Sequence, residues 1–304
     1  MAVFNYDYKT QCNPIPPSEQ GLLTVIAEPF LHVTDCVPHH LEGVCFDESG
    51  ETMYFCSTDI GRVYRYCFAS KKLEQIWEEP GVRSFGMKRH PDGRLFVTCF
   101  PKEKTGGLYI LDPDGKYLET VMEGISIDDV TFCADNSFYA SEFIGDVFDR
   151  SGCVYKVSAD LRNVVPHIPN LAAPNGIALS TDEKVLWITE YNAGQLLRTP
   201  VNGGWSSVCY SFTGAHGPDS CEIDADDNLY VAMTFQGRIL IFNRDGFPIG
   251  QVLMPNRDTG HNLLSTHAAV RPGSRELYIT CSDDTYGGSW IFRSESFADA
   301  YIRG

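Results

Sequence analysis

Apolar and polar positions alternate along this chain in short runs, and an aromatic residue flanked by apolar neighbours returns six times. The copies are Met53-Tyr54-Phe55, Leu95-Phe96-Val97, Phe138-Tyr139-Ala140, Leu186-Trp187-Ile188, Leu229-Tyr230-Val231 and Leu277-Tyr278-Ile279. Their central aromatics lie 42, 43, 48, 43 and 48 residues apart. Turn residues precede most copies, as in Pro91-Asp92-Gly93 and Ala225-Asp226-Asp227-Asn228, and a glycine followed by a second short run comes after (GRVYRY, GGLYIL, GCVYKV, GQLLRT, GRILIF, GSWIFR). Period-two alternation between turn signals predicts strands, and helical periodicity is almost absent. A repeat of this length with about four strands is a propeller blade, which cannot bury both faces of its sheet until neighbours pack on it. The chain therefore reads as all-β, a single six-bladed β-propeller domain over residues 1–304. Residues 1–20 form an irregular segment outside the blades, and a strand near Leu22–Val33, or the last blade, closes the ring. The W-D pairs of interaction propellers and the glycine loops that cradle phosphate are missing.

Composition narrows the partners. With 24 Lys and Arg against 40 Asp and Glu, the net charge is −16, which repels nucleic acid and anionic membrane surfaces. No apolar run reaches the roughly 18–20 residues that span a bilayer, and no secretory leader pattern is visible. The eleven cysteines are odd in number, lack C-x-x-C spacing and mostly lie in apolar runs. They read as reduced, buried thiols of a cytoplasmic protein.

The chemistry lies at one phase of the repeat. Ten to twelve residues before each aromatic anchor stand Glu42, Ser84, Asp128 with Asp129, Asn175, Asp219 and His267. The innermost strand of each blade lines the central channel, so residues at a shared phase converge near one mouth. Each also has an ordinary reading: Asn175 and Asp219 as turn residues, Asp128-Asp129 as a solvated pair. Glu42, in an otherwise apolar strand, is the hardest to explain that way. Three carboxylates and an amide oxygen form an all-oxygen set suited to calcium, whereas zinc would favour His or Cys. Left unpaired around a channel, such carboxylates would be costly. His267 is expected as an acid/base or oriented channel group. Phe85, Phe143, Tyr191, His216, Phe235 and Tyr286 mark an aromatic rim, suggesting a fairly apolar or aromatic substrate, although an aromatic at such a position is more often packing than contact.

The segments LEGVCFD, IDDVTF, APNGIALSTDEKVLWITE, GPDSCEIDADDNLYVAM, GRILIFNRDGFPIGQ and RDTGH…STH resemble the SMP-30/gluconolactonase/regucalcin-like family of six-bladed propellers, in particular its calcium-dependent drug-responsive lactonase branch. The resemblance runs from about Glu28 to about Gly288. It implies one catalytic Ca²⁺, replaceable by other divalent cations, on Glu42, Asp128, Asn175 and Asp219, with Ser220 beside the last. It further implies Asp219 as general base and proton donor, His267 as a channel histidine, and a small-molecule lactone as substrate. Ser126 stands where gluconolactonase members carry an arginine for sugar hydroxyls, which disfavours a sugar lactone. Thr120–Ile125 lacks the pattern for a second, structural ion. Direct attack by Asp219 is the mechanistic variant. The rival functions are hydrolysis of phosphotriesters or other activated esters on the same ion, a non-catalytic calcium-binding propeller, and a metal-free propeller enzyme.

Overall fold

The computed structural model describes residues 11–36, 39–214, 216–284 and 287–302. Six antiparallel sheets follow one another along the chain, and no α-helix occurs among the described residues. Blades one to five are each built from four consecutive strands, starting at Leu41, Val82, Ile127, Pro174 and Pro218. Blade six has three strands of its own from Leu264 onward. Its outermost strand is Glu28–Thr34, which pairs antiparallel with Ser289–Glu295 and so ties the chain's beginning to its end. Leu23–Ile26 adds a fifth, parallel strand to blade five.

The first strand of every blade is the innermost: Leu41–Phe46, Val82–Arg89, Ile127–Phe132, Pro174–Leu179, Pro218–Ile223 and Leu264–Val270. These six pack on one another around the axis. The hydrophobic core is accordingly six clusters, one at each blade–blade seam. Met87, Val97 and Cys99 meet Cys45, Tyr54 and Val63 at the first seam, and Trp187 and Leu196 meet Met233 and Phe242 at another. The six aromatic anchors are all buried within these seams. Residues 11–22 lie outside the blades and are held by buried contacts, with Glu19 paired to Arg238 and accepting from the Tyr210 hydroxyl.

All eleven cysteines are free thiols. Burial raises those at the seams, such as Cys56 and Cys221, well above the ordinary thiol range, so they pack as small hydrophobes. No helix among the described residues is long and apolar enough to cross a membrane.

Candidate functional site

All six inner strands break register with their neighbour at the position the repeat marks as polar. One extra residue enters between Glu42 and Cys45, Ser84 and Met87, Ile127 and Val130, Pro174 and Ile177, Pro218 and Cys221, and Ser265 and His267. Such a bulge re-aims side chains and frees backbone groups from the ladder. Glycines make room for it. A Cβ on Gly86 would stand 2.3 Å from the Asp128 carbonyl oxygen, and one on Gly176 would stand 2.4 Å from the Cys221 nitrogen.

Hydroxyls at the ends of the second strands take up the freed groups. The Ser141 hydroxyl accepts from the Asp129 N–H (3.1 Å) and donates to the Asn175 carbonyl (2.5 Å). Thr189 accepts from the Gly176 N–H (2.8 Å) and donates to the Asp219 carbonyl (2.7 Å). Thr98 reaches the Gly86 and Asp128 carbonyls at 3.1 and 2.8 Å. Each hydroxyl thus staples one bulge to the next blade's bulge. Serine or threonine two residues after an aromatic anchor, in four of the six repeats, is the sequence signal for these staples.

At this end of the channel Glu42, Asp128 and Asn175 are buried (2, 2 and 4% exposed), and Ser220 is fully buried, whereas Asp219 keeps part of its surface accessible. The Ser220 hydroxyl donates to Glu42 Oε1 at 2.5 Å, and the Asn175 and Thr234 side chains bond Asp219. Glu42 Oε2 and Asn175 Oδ1 are buried acceptors with no hydrogen-bond partner among the described residues. Burial and the charge of Asp219 raise Glu42 well above the usual carboxylate range, and burial with Asp219 and Glu42 does the same to Asp128. Asp219 is pushed up to about 7, mainly by burial. Such mutual repulsion places these carboxylates within electrostatic reach of one another. Among the described residues, however, no three His, Cys, Asp or Glu side chains form a ready metal-holding group; Glu42 leans instead on Ser220.

The remaining predicted residues divide. Asp129 turns away from the mouth: its carboxylate accepts from the N–H groups of Val130 (2.8 Å) and Ile177 (3.2 Å), so it supports the bulges. Ser84 spends its hydroxyl on Ser57 and Arg62 backbone groups. His267 is fully buried, with Nδ1 3.8 Å from Glu42 Oε1, and burial together with the Lys88 charge lowers it well below its ordinary value. Phe85, Phe143, Tyr191, His216 and Phe235 form a continuous aromatic arc around the same mouth, with ring centroids 4.2–6.2 Å apart once Phe100 is included between Phe85 and Phe143. Phe100 escaped the sequence reading although it stands four residues after its anchor, as Phe143 and Tyr191 do after theirs. His216 and Phe235 hold their rings with left-handed backbones (φ 60 and 59°), a costly conformation for bulky side chains that clusters at functional sites. Tyr286 lies outside the described residues.

The profile of the SMP-30/gluconolactonase/LRE-like region matches residues 119–283, and full-length relatives agree with it. A protein named Lactonase drp35 from Staphylococcus saprophyticus is 42% identical over 97% of this chain and 94% of its own length. The protein of the same name from Staphylococcus aureus USA300 is 40% identical over 97 and 95%. The chain belongs to the SMP-30/gluconolactonase family. Solved structures show that its propeller is shared well beyond close sequence kinship. A luciferin-regenerating enzyme superposes with a TM-score of 0.71 at 18% identity (92% of this chain, 99% of that one). A calcium-binding regucalcin from Agrobacterium tumefaciens gives 0.70 at 17%, with the same coverage. Within this SMP-30/gluconolactonase-family chain, the acidic mouth and the aromatic arc occupy the same face of the ring.

Proposed function

We propose that this protein is a calcium-dependent lactonase acting at the acidic mouth of the channel. The observation carrying this reading is that four oxygen-bearing side chains from four separate inner strands gather there and leave Glu42 Oε2 and Asn175 Oδ1 buried without a partner. An all-oxygen set with orphaned acceptors and mutually repelling carboxylates fits a hard cation such as calcium. Glu42, Asp128, Asn175 and Asp219 would hold it, with Ser220 orienting Glu42. The relatives named lactonase support the substrate class.

Bound there, calcium would supply a counter-charge for the carboxylates and a Lewis acid for the lactone carbonyl oxygen. The chain's own part is proton handling. Asp219, the partly accessible member of the set, takes a proton from the attacking water as its oxygen bonds the carbonyl carbon. It returns that proton to the ring oxygen as the acyl C–O bond breaks, leaving a hydroxy acid. The aromatic arc of Phe85, Phe100, Phe143, Tyr191, His216 and Phe235 favours a lactone with an apolar or aromatic body.

The test is hydrolysis of a panel of aliphatic and aromatic lactones, with a phosphotriester alongside, before and after exhaustive chelation. Lactone turnover that vanishes on chelation and returns with calcium is expected. Full activity in the chelated protein would reject the metal, and turnover of the phosphotriester alone would reject the lactone.

A further inference from the structure

Just below the acidic mouth, a lysine crosses the channel axis. Lys88 projects from the inner strand of blade two and pairs with Glu222 on the inner strand of blade five, the opposite blade of the ring. The same ammonium stands 3.4 Å from His267 Nε2, on blade six. The Lys88 side chain is only 12% exposed. This bolt separates the mouth from a cavity of about 180 Å³ at the far end, lined by Phe46, Phe132, Val270 and Tyr301 among others.

An ammonium has three protons to give and no lone pair to accept with. The ring nitrogen facing it must therefore be the acceptor, and a neutral imidazole with a lone pair on Nε2 carries its proton on Nδ1. That Nδ1 is buried, has no hydrogen-bond partner among the described residues, and lies on the Glu42 side of the ring. We propose that Lys88 is a positioning residue that locks His267 in the Nδ1–H tautomer, so that His267 offers the reaction site a hydrogen-bond donor and not a base. The general-base role then falls to Asp219, and His267 serves to orient a carboxylate or an oxygen of the bound substrate. The kinetic consequence rests on the lactonase reading above; the tautomer itself does not.

The deciding measurement is long-range ¹H–¹⁵N correlation NMR on full-length protein labelled at histidine, recorded with calcium and again after chelation. His267→Gln identifies the His267 signals by difference. A pyrrole-type Nδ1 and a pyridine-type Nε2 are expected in both states. In Lys88→Met/Glu222→Gln, which removes the bolt together with its ion-pair partner, the ring should move toward the Nε2–H form, while Lys88→Arg should retain Nδ1–H. For a lactone substrate the double variant should lose about tenfold in kcat, the size of one ordinary hydrogen bond, with KM nearly unchanged. Lys88→Arg should restore most of that loss. A protonated Nε2 in the wild type, or an unaltered tautomer in the double variant, would overturn the proposal. An Nδ1–H ring in a protein that turns over no lactone would refute the activity and leave the tautomer assignment standing.

Discussion

The two ends of the same six inner strands are built on opposite rules. At the end where these strands begin, every strand bulges, hydroxyl staples hold the bulges, and acceptors on Glu42 and Asn175 stay unmatched. At the middle and far end the ladders are regular, and the Lys88 charge that crosses the axis is matched by Glu222. A buried polar group without a partner costs stability, so leaving a carboxylate oxygen and an amide oxygen unmatched side by side at the mouth marks that end as the working one. The matched end closes the channel behind it.

The largest effect that could break this contrast is on activity. Asp219→Asn should reduce lactone kcat/KM by about 10²–10⁴, the usual loss of a general base, measured with calcium saturating. A variant within a few fold of wild type would make Asp219 a ligand and nothing more. Next in size is the architecture that holds the acids. Gly86→Ala would drive a methyl group to within 2.3 Å of the Asp128 carbonyl. It should destabilise the fold by about 1–3 kcal/mol as overpacking, read from denaturant unfolding, and lower calcium affinity as Asp128 shifts. An unchanged unfolding midpoint would show that the inner strands are not held so closely.

The last effect, spread over several pH units, concerns the chelated protein. Asp219 sits at about 7 in the fold, above the roughly 4 of an unfolded chain's carboxyl. Between those values the folded state holds the extra proton, so stability falls as pH rises from about 4 to 7 and levels off above. Glu42 and Asp128, raised in the same direction, extend the decline upward. Saturating calcium, which needs the ionised forms, should flatten or reverse the slope. Thermal melts across pH 4–8, with and without calcium, measure both curves, and identical slopes would argue against an ion at the carboxylates.

Much of this was readable along the chain, and the reason differs from feature to feature. The blades were legible because each repeat carries its own anchor and turns: Tyr54, Phe96 and Trp187 announce strands that need only local alternation. The acids were legible because ring geometry maps one phase of a repeat to one place, so Glu42 and Asp219 could be matched across 177 positions of sequence. Asp129 stands beside Asp128 at the same phase, and only the folded bulge separates their roles, since its carboxylate meets the Ile177 and Val130 N–H groups. Phe100 carried a mark that went unread, the offset of four residues from its anchor that Phe143 and Tyr191 share. Lys88 carried none, because it stands beside Arg89 and its partners lie 134 and 179 residues away.

The order of anchors, turns and glycines was therefore enough to determine a six-fold ring, because strand formation and blade packing follow from patterns within one repeat. Which polar atoms would be left unmatched, which hydroxyl would staple which bulge, and which nitrogen of His267 would face a cation were decided only when the ring closed. Those outcomes depend on distances between strands of different blades, and hydrogen-bond partnership is settled by position within a fraction of an ångström, a scale that no spacing along the chain can specify.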